Sequence, residues 1–291
     1  MLGILFRLPL RQTCGLVDSI LQLINLDLPC PDPSTLCRRR AKLPVDLAPR
    51  PASGARHILI DSTGLKVYGE GEWKVKKHGV GKRRTWVKLH FSIDADTGEV
   101  LACLCTDGDD ADGPLLPELV EASREAGGQV ASAAGDGAYD SWANDEYLAG
   151  KGIKALIPPC RGSKIRLRRA PGVAPLPRDE RLRRIRELGG GDFVYGRRRW
   201  GKESGYSRRA LAETGMMRQK VIFGPGLRSR GRASQSVECA LRCRGLNVLT
   251  GLGMPDSYAC PLLILRGEVC SLEVAGKRAA SFFIHATKPC K

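Results

Sequence analysis

The chain has 291 residues, with 47 Lys and Arg against 31 Asp and Glu, which gives a formal net charge of +16 and a pI of about 9.6. Such an excess favours a polyanionic partner, nucleic acid above all, because phosphates relieve the self-repulsion of a basic chain. Hydrophobic residues make up 42% of the chain, but charges interrupt them too often for the run of about 20 apolar residues that a membrane span requires.

The cysteine pattern indicates a reducing compartment. The 11 cysteines include no Cys-x-x-Cys pair, and the 4 histidines include no closely spaced pair, so the sequence gives little support to a structural zinc site. The first residues lack the small-residue cleavage site of a signal peptide. We therefore expect a cytoplasmic protein with mostly free thiols.

Residues 1–50 are predicted to form a small helical region. Apolar residues at helical spacing predict a helix over 10–26, and Ser34 or Thr35 is expected to cap a second short helix that ends in three arginines. Two structures explain this pattern equally well. One is part of a helix-turn-helix DNA-binding region, and the other is an ordinary helical hairpin with a solvated, charged end. The proline-rich stretch 44–54 predicts a boundary near residue 50.

Residues 55–258 are predicted to form one α/β domain. The pattern reads in order as a strand, a β-hairpin, a helix, a strand, a helix and a strand, which indicates a mixed sheet with helices on its faces. Asp61 is expected at the C-terminal edge of the first strand, and Asp136 directly follows the strand over 129–134. Asp140 is expected to cap the next helix, over 141–149.

A basic insertion over about 161–203 interrupts this domain. Residues 161–209 contain 16 Lys and Arg and 5 Asp and Glu, a net charge of 16 − 5 = +11. One helix is predicted there, over 179–188, and two longer helices follow over 204–223 and 234–252. The segment 259–291 has no clear amphipathic pattern and is left unassigned.

Acidic residues at the strand ends suggest metal-dependent phosphodiester chemistry. Two divalent cations can activate the attacking oxygen and stabilise the leaving oxygen, and they need two or three carboxylates on rigid elements. Asp61 and Asp136 meet this requirement if a helix supplies a third acid. Glu213 lies on one predicted helix face with Tyr206, Arg209 and Lys220. A solvated helix with an ordinary Arg–Glu pair is the alternative interpretation.

Three blocks of the sequence resemble the catalytic blocks of bacterial insertion-sequence DDE transposases. They are 57–64 (HILIDSTG), 135–140 (GDGAYD) and 204–214 (SGYSRRALAET). The resemblance is greatest to the IS-five family within the IS-four-type group, whose Tyr-x2-Arg-x3-Glu-x6-Lys motif is matched by Tyr206, Arg209, Glu213 and Lys220. Stretches at 8–13, 34–40 and 252–257 extend it over about residues 6–258.

This resemblance implies an RNase H-like, retroviral-integrase-like fold in which Asp61, Asp136 and Glu213 hold two Mg²⁺ or Mn²⁺ ions. It implies binding to the terminal inverted repeats of an element, strand cleavage, and attack of the new 3′-hydroxyl on target DNA within a homo-oligomeric synaptic complex. Asp140 is the rival for the second acid, and Asp136 is preferred because it directly follows the strand. The residues expected to contact DNA are Tyr206, Arg209, Lys220, Arg208, Arg197, Arg198 and Arg199.

The chain also departs from the family pattern at both ends. Few residues precede the 8–13 block, so we expect part of the DNA-binding region to be missing, and the tail beyond 258 does not align. A truncated, inactive remnant that only binds DNA is therefore the alternative function. A nuclease of the same fold that ignores the terminal repeats is a further alternative.

Overall fold

The computed structural model describes residues 1–67, 86–165 and 177–253. A mixed sheet forms its centre. The strands are β1 (Arg56–Val67), β2 (Trp86–Asp94), β3 (Val100–Asp107), β4 (Val130–Ala134), β5 (Lys154–Leu156) and β6 (Gly226–Leu227). They lie in the order β3-β2-β1-β4-β5, and β6 pairs with the end of β1. The β1, β2 and β3 neighbours are antiparallel, whereas β4 is parallel to β1 and to β5.

Helices flank this sheet, as the sequence predicted. They are α1 (Leu2–Leu5), α2 (Leu10–Leu23), α3 (Pro33–Arg40), α4 (Leu116–Glu125), α5 (Trp142–Gly150), α6 (Pro177–Gly189), α7 (Phe193–Ser204), α8 (Ala210–Phe223) and α9 (Arg232–Gly251). Among the described residues, no helix is long and apolar enough to cross a membrane.

The two faces of the sheet have separate cores, because successive side chains of a strand point to opposite faces. Ile58 and Ile60 of β1 pack with residues of α4 and α5 on one face. Leu65 packs with residues of α8 and α9 on the other, and Leu59 shares a small cluster with Ala212 of α8. Full burial of each such aliphatic side chain contributes about 1.5–3 kcal/mol. Asp61, two residues beyond Leu59, therefore belongs to the face that α8 covers.

The N-terminal helices attach to this body through polar contacts and through Ile4 and Leu5 of α1, which pack against the core on the α8 side. None of α1, α2 and α3 has a fully buried residue. Arg7 donates to the carbonyl oxygens of Val221 and Ile222 at 3.0 and 3.2 Å, and Arg40 pairs with buried Glu238 at 3.0 Å. The boundaries predicted at residues 50 and 258 stay predictions, and 259–291 lies outside the described residues.

Two predicted helix caps and one predicted strand end are wrong. Asp32, rather than Ser34 or Thr35, caps α3 through the Ser34 amide. Ser141, rather than Asp140, caps α5. The first strand continues six residues beyond Asp61 to Val67, because β2 pairs with β1 as far as Lys66.

The basic insertion and the following helix also differ from the prediction. The predicted helix over 179–188 is confirmed as α6, but α7 was not predicted. The single helix predicted over 204–223 is divided. Gly205 ends α7 in the left-handed region at φ +81°, a 3-10 turn spans Tyr206–Arg209, and α8 begins at Ala210. A residue with a Cβ is strained at that φ, which explains the glycine.

Candidate active site

The register of β1 and β4 brings Asp61 and Asp136 together. Leu59 is the in-register partner of Ala134 in this parallel pair. Each acid lies two residues further along its own chain, so both follow the same ladder position and the same face of the sheet. β4 ends at Ala134, and the chain leaves the sheet there. The register therefore brings the two acids to neighbouring positions, although β1 itself continues, and their role as metal ligands stays a prediction.

Asp61 is held in place from two sides. One carboxylate oxygen accepts a hydrogen bond from the Ser62 amide at 2.9 Å, and the other accepts one from Arg209 Nη1 at 3.1 Å. Its side chain is 14% exposed. Burial raises the pKa of Asp61, the Ser62 amide and Arg209 oppose that rise, and the charges of Asp136 and Glu213 add to it. The three acids therefore influence one another electrostatically.

Asp136 opens the short turn after β4. Its Oδ1 accepts a hydrogen bond from the Ala138 amide at 2.9 Å, which caps the 3-10 turn Gly137–Tyr139. A capping carboxylate is held in place by its hydrogen bond to a backbone amide. Asp136 is therefore presented at a fixed position next to the end of β4.

Glu213 enters the site from the first turn of α8. Its Oε1 lies 2.5 Å from Arg209 Nη2, and its side chain is 61% exposed. The preceding residue, Ala212, is fully buried against Leu59. A Cβ at Gly215 would overlap the Cδ1 atom of Ile93, so the glycine lets α8 approach the sheet this closely without displacing the Ile93 side chain. This close approach places Glu213 beside the strand that carries Asp61.

Arg209 links Asp61 and Glu213. Its guanidinium donates to Asp61 and to Glu213 from its two terminal nitrogens. A guanidinium suits this position because its donors form a planar fork. Among the residues that the structure describes, no three His, Cys, Asp or Glu side chains are placed closely enough to ligate a metal ion. The positive charge of Arg209 thus balances part of the charge of Asp61 and Glu213.

Two further residues line the site without having been predicted. The hydroxyl of Tyr139 is buried without a hydrogen-bond partner among the described residues. Burial raises the pKa of Tyr139, and the charges of Asp112, Asp61 and Asp136 raise it further. Asp112 accepts hydrogen bonds from Ser62 Oγ at 2.9 Å and Lys88 Nζ at 3.1 Å. No spacing in the sequence connects Asp112 with the other acids.

Asp140 has a structural role that separates it from Asp136. Its carboxylate accepts from Arg178 Nε and Nη2 at 2.7 and 2.9 Å, from the Cys160 amide at 3.0 Å and from Ser163 Oγ at 3.0 Å. Burial alone would raise the pKa of Asp140. The hydrogen bonds from Arg178 and Cys160 outweigh this effect, so the pKa of Asp140 lies below its usual value. These partners occupy both oxygens, which supports Asp136 as the second acid of the site.

The residues expected to contact DNA lie in different environments. Tyr206 and Arg209 occupy the 3-10 turn rather than α8, so the expected single helix face is wrong, although Arg209 still reaches Glu213. Tyr206 packs on Trp200 with ring centroids 5.6 Å apart. Arg208 donates to Asp96 in the turn between β2 and β3 at 2.5 Å. Lys220 is exposed seven residues after Glu213, in the last turn of α8.

The arginines of the basic insertion divide into buried and exposed groups. Arg178 and Arg181 are buried and pair with Asp140 and Asp145 at 2.7 and 2.6 Å. Burial raises the pKa of Tyr206, and a hydrogen bond from Arg197 opposes part of that rise. Arg198 and Arg199 of α7 are exposed. In the described part of the predicted basic run, some arginines are therefore buried and others are available to a partner, and residues 166–176 lie outside the described residues.

Comparison with known families fits this arrangement. A model described as a transposase DDE domain matches residues 52–247, and a second model with the same description matches residues 1–70. The chain belongs to the DDE transposase family. The longer match includes Asp61, Asp136 and Glu213, and the mixed sheet with its flanking helices is the RNase H-like fold of this transposase. The matches support the IS-four-type group and do not separate the IS-five branch from it.

The donor set suits the divalent metal ions that DDE transposase domains use. Carboxylate oxygens are the ligands that Mg²⁺ and Mn²⁺ prefer. Burial is the largest cause of the raised pKa of Asp61, and the negative charges of Asp136 and Glu213 add to it. Asp61, Asp136 and Glu213 would hold such ions. Bound there, the ions would activate an oxygen nucleophile and stabilise the leaving oxygen of a phosphodiester.

Proposed function

We propose that this transposase binds the terminal inverted repeats of an insertion sequence, cleaves the DNA at the element ends and joins the 3′-hydroxyl to target DNA. Asp61, Asp136 and Glu213 serve as the ligands of two Mg²⁺ or Mn²⁺ ions. The pairing of Asp61 and Glu213 with Arg209, together with the charge of Asp136 acting on Asp61, supports the proposal. Membership in the IS-five branch is part of it, and rests on the match to the Tyr-x2-Arg-x3-Glu-x6-Lys motif.

Arg209 has a double role in this proposal. Its guanidinium neutralises part of the repulsion among the acids before DNA and metal ions bind. A phosphate, like a carboxylate, can accept two parallel hydrogen bonds from one guanidinium. Transfer of Arg209 from the acids to a DNA phosphate would release Asp61 and Glu213 for metal binding. DNA binding and metal binding then support each other.

The DNA surface in this proposal combines α7, the 3-10 turn and the end of α8. Arg198, Arg199 and Lys220 are exposed there and supply positive charges, while Tyr206 lies within reach of the charge of Asp136 and is hydrogen-bonded to Arg197. Such contacts bind the phosphate backbone and fix the register of the protein on DNA. A homo-oligomer would hold two element ends together in one synaptic complex, and the site of action would be the nucleoid.

Strand cleavage and transfer test the proposal directly. The substrate is DNA that carries the inverted repeats flanking the gene, incubated with purified protein and Mg²⁺ or Mn²⁺. We expect Asp61→Asn, Asp136→Asn and Glu213→Gln to abolish product, a loss of at least 10³-fold, because each removes a proposed metal ligand. Asp109→Asn is the matched control, since Asp109 is an exposed acid outside the site.

The alternatives predict different products. DNA binding with no metal-dependent nicking by the unmodified chain would show an inactive remnant instead. Cleavage that is equally fast on DNA without inverted repeats would show a nuclease of the same fold. Full activity in Asp136→Asn together with loss in Asp140→Asn would overturn the assignment of the second acid.

A further inference from the structure

Four cysteines meet between the edge strand β3 and the helix α9. Cys103 and Cys105 are two residues apart in β3 and share a face of the strand, and Cys239 and Cys243 are four apart on α9 and share a face of the helix. All four belong to or pack against the core on the α8 side of the sheet. The thiol of Cys239 donates to Cys105 Sγ at 3.8 Å, and Cys243 hydrogen-bonds to Cys103.

The strand cysteines of this cluster are more exposed than the helix cysteines. Cys103 and Cys105 are partly exposed, whereas Cys239 is 1% exposed and Cys243 is fully buried. In the part of the chain that the structure describes, no three or more thiols are placed to ligate a metal ion. The geometry therefore favours thiol chemistry at the Cys105–Cys239 pair over a metal site.

Arg232 gives Cys105 a cationic neighbour. Its Nη1 lies 3.7 Å from Cys105 Sγ, and its Nη2 donates to the Cys105 carbonyl oxygen at 2.7 Å, which fixes the guanidinium beside the sulfur. The exposed Asp107 pairs with the same guanidinium at 3.3 Å and offsets part of its charge.

The two thiols of the pair are unequal in acidity. The hydrogen bond from Cys239 lowers the pKa of Cys105 to about 7, burial opposes that shift, and Arg232 reinforces it. The hydrogen bond to Cys105 and burial raise the pKa of Cys239. The thiolate is the reactive form of cysteine, so Cys105 is suited to attack and Cys239 to resolve.

We propose that Cys105 and Cys239 form a redox-responsive dithiol, which a small-molecule disulfide converts into an intramolecular disulfide bond between β3 and α9. The Cys105 thiolate attacks one sulfur of the small disulfide, forms a mixed disulfide and expels one small thiolate. Cys239 then loses its proton and attacks Cys105 Sγ, which expels the second. The protein loses two electrons and two protons, and the small disulfide is reduced to two thiols. This chemistry is independent of the proposed DNA reaction.

The pair needs only a local adjustment to react. A disulfide bond is about 2 Å long, so the sulfur atoms, now 3.8 Å apart, must approach by roughly 1.8 Å. The bond would connect residues 134 positions apart in sequence, and closure of a long loop restricts the unfolded chain strongly. Oxidation should therefore raise the Tm of the full chain by roughly 5–15 °C.

Oxidation of the reduced, full-length protein with oxidised glutathione tests the proposal. Peptide mapping without reductant should recover a cross-linked peptide pair containing Cys105 and Cys239, and dithiothreitol should reverse both the link and the Tm increase. Cys105→Ser and Cys239→Ser should each abolish the increase, and Cys239→Ser should leave Cys105 as the stable mixed disulfide. Cys37→Ser is the matched control, because Cys37 is an exposed thiol outside the cluster.

A second measurement isolates the role of Arg232 as a positioning residue. Arg232→Gln should slow iodoacetamide alkylation of Cys105 at pH 7 at least threefold, because the thiolate fraction falls as the pKa rises, and should leave alkylation of Cys37 unchanged. A persistent mixed disulfide at Cys105 in the unmodified chain would overturn the proposal. A disulfide from Cys105 to a cysteine other than Cys239 would also overturn it. So would an unchanged Tm after Cys105 and Cys239 are linked.

Discussion

Asp136 and Asp140 lie four residues apart, and replacement of each by asparagine should have opposite consequences. Asp140→Asn should destabilise the fold, whereas Asp136→Asn should leave stability nearly unchanged and abolish strand transfer. The substitution is the same in both cases and removes one charge at almost constant volume. Any difference in unfolding free energy therefore reports the surroundings of the two carboxylates.

The expected magnitudes follow from the contacts. Asp140 is 1% exposed and its oxygens accept four hydrogen bonds, two of them from the Arg178 guanidinium. Breaking a buried pair costs about 3–5 kcal/mol, and an asparagine that keeps one carbonyl acceptor should cost about 3 kcal/mol. Asp136 accepts one backbone hydrogen bond as a cap, and Asn caps about as well as Asp, so we expect less than about 0.5 kcal/mol.

Urea unfolding at pH 7 measures this difference. With an m value of about 2–3 kcal/mol/M, a loss of 3 kcal/mol lowers the midpoint by about 1 M or more. The pKa of Asp140 is below its usual 3.8 in the folded chain, so its stabilisation is present above that pH and is lost as the pH falls below it. The cost of Asp140→Asn should shrink below about pH 4. Equal midpoints for the two variants at pH 7 would refute the reasoning.

Three other substitutions test the packing and charge of the transposase. Glu238→Gln should cost about 3 kcal/mol in urea unfolding, because it leaves the buried guanidinium of Arg242, now 2.8 Å away, without its counterion; a cost below 1 kcal/mol would contradict this. Gly215→Val should lower stability by about 2 kcal/mol, since the new side chain overlaps Ile93, and a neutral result would show that α8 can move away freely. Arg209→Gln should lower the Tm without metal and increase the Tm gain on adding Mg²⁺, because the competing guanidinium is gone; equal gains in both proteins would argue against that role.

Local patterns were sufficient to predict most elements of the sheet. The alternation in β2 and the apolar run of β4 are visible in the sequence, and the acid that follows β4 could be named as a ligand candidate. The continuation of β1 to Val67 could not be predicted locally, because it depends on pairing with β2 and β6. α7 was missed because glycines and charges mask its helical pattern.

Glycine and arginine in the basic insertion show why tertiary contacts limit such predictions. Gly196 of α7 resembles a helix breaker, yet a Cβ there would overlap the Ile185 carbonyl oxygen, so the glycine allows α6 and α7 to pack closely. Arg178 pairs with Asp140, 38 residues away in sequence, and no local spacing indicates that partner. The structural role of Asp140 therefore became visible only in the folded chain.

The division of the basic insertion into buried and exposed arginines has a consequence for DNA binding. Arg178 of α6 forms an ion pair with Asp140, which lies four residues after Asp136. This ion pair holds α6 in place relative to the proposed metal site. α7 follows α6 directly and carries the exposed Arg198 and Arg199. Only exposed cations release counterions on binding a phosphate backbone, so the salt dependence of DNA affinity should reflect them and not the full charge of the run. If the proposed function holds, the same basic segment would both fix the insertion relative to the site and bind DNA, because its acidic partners lie next to the site.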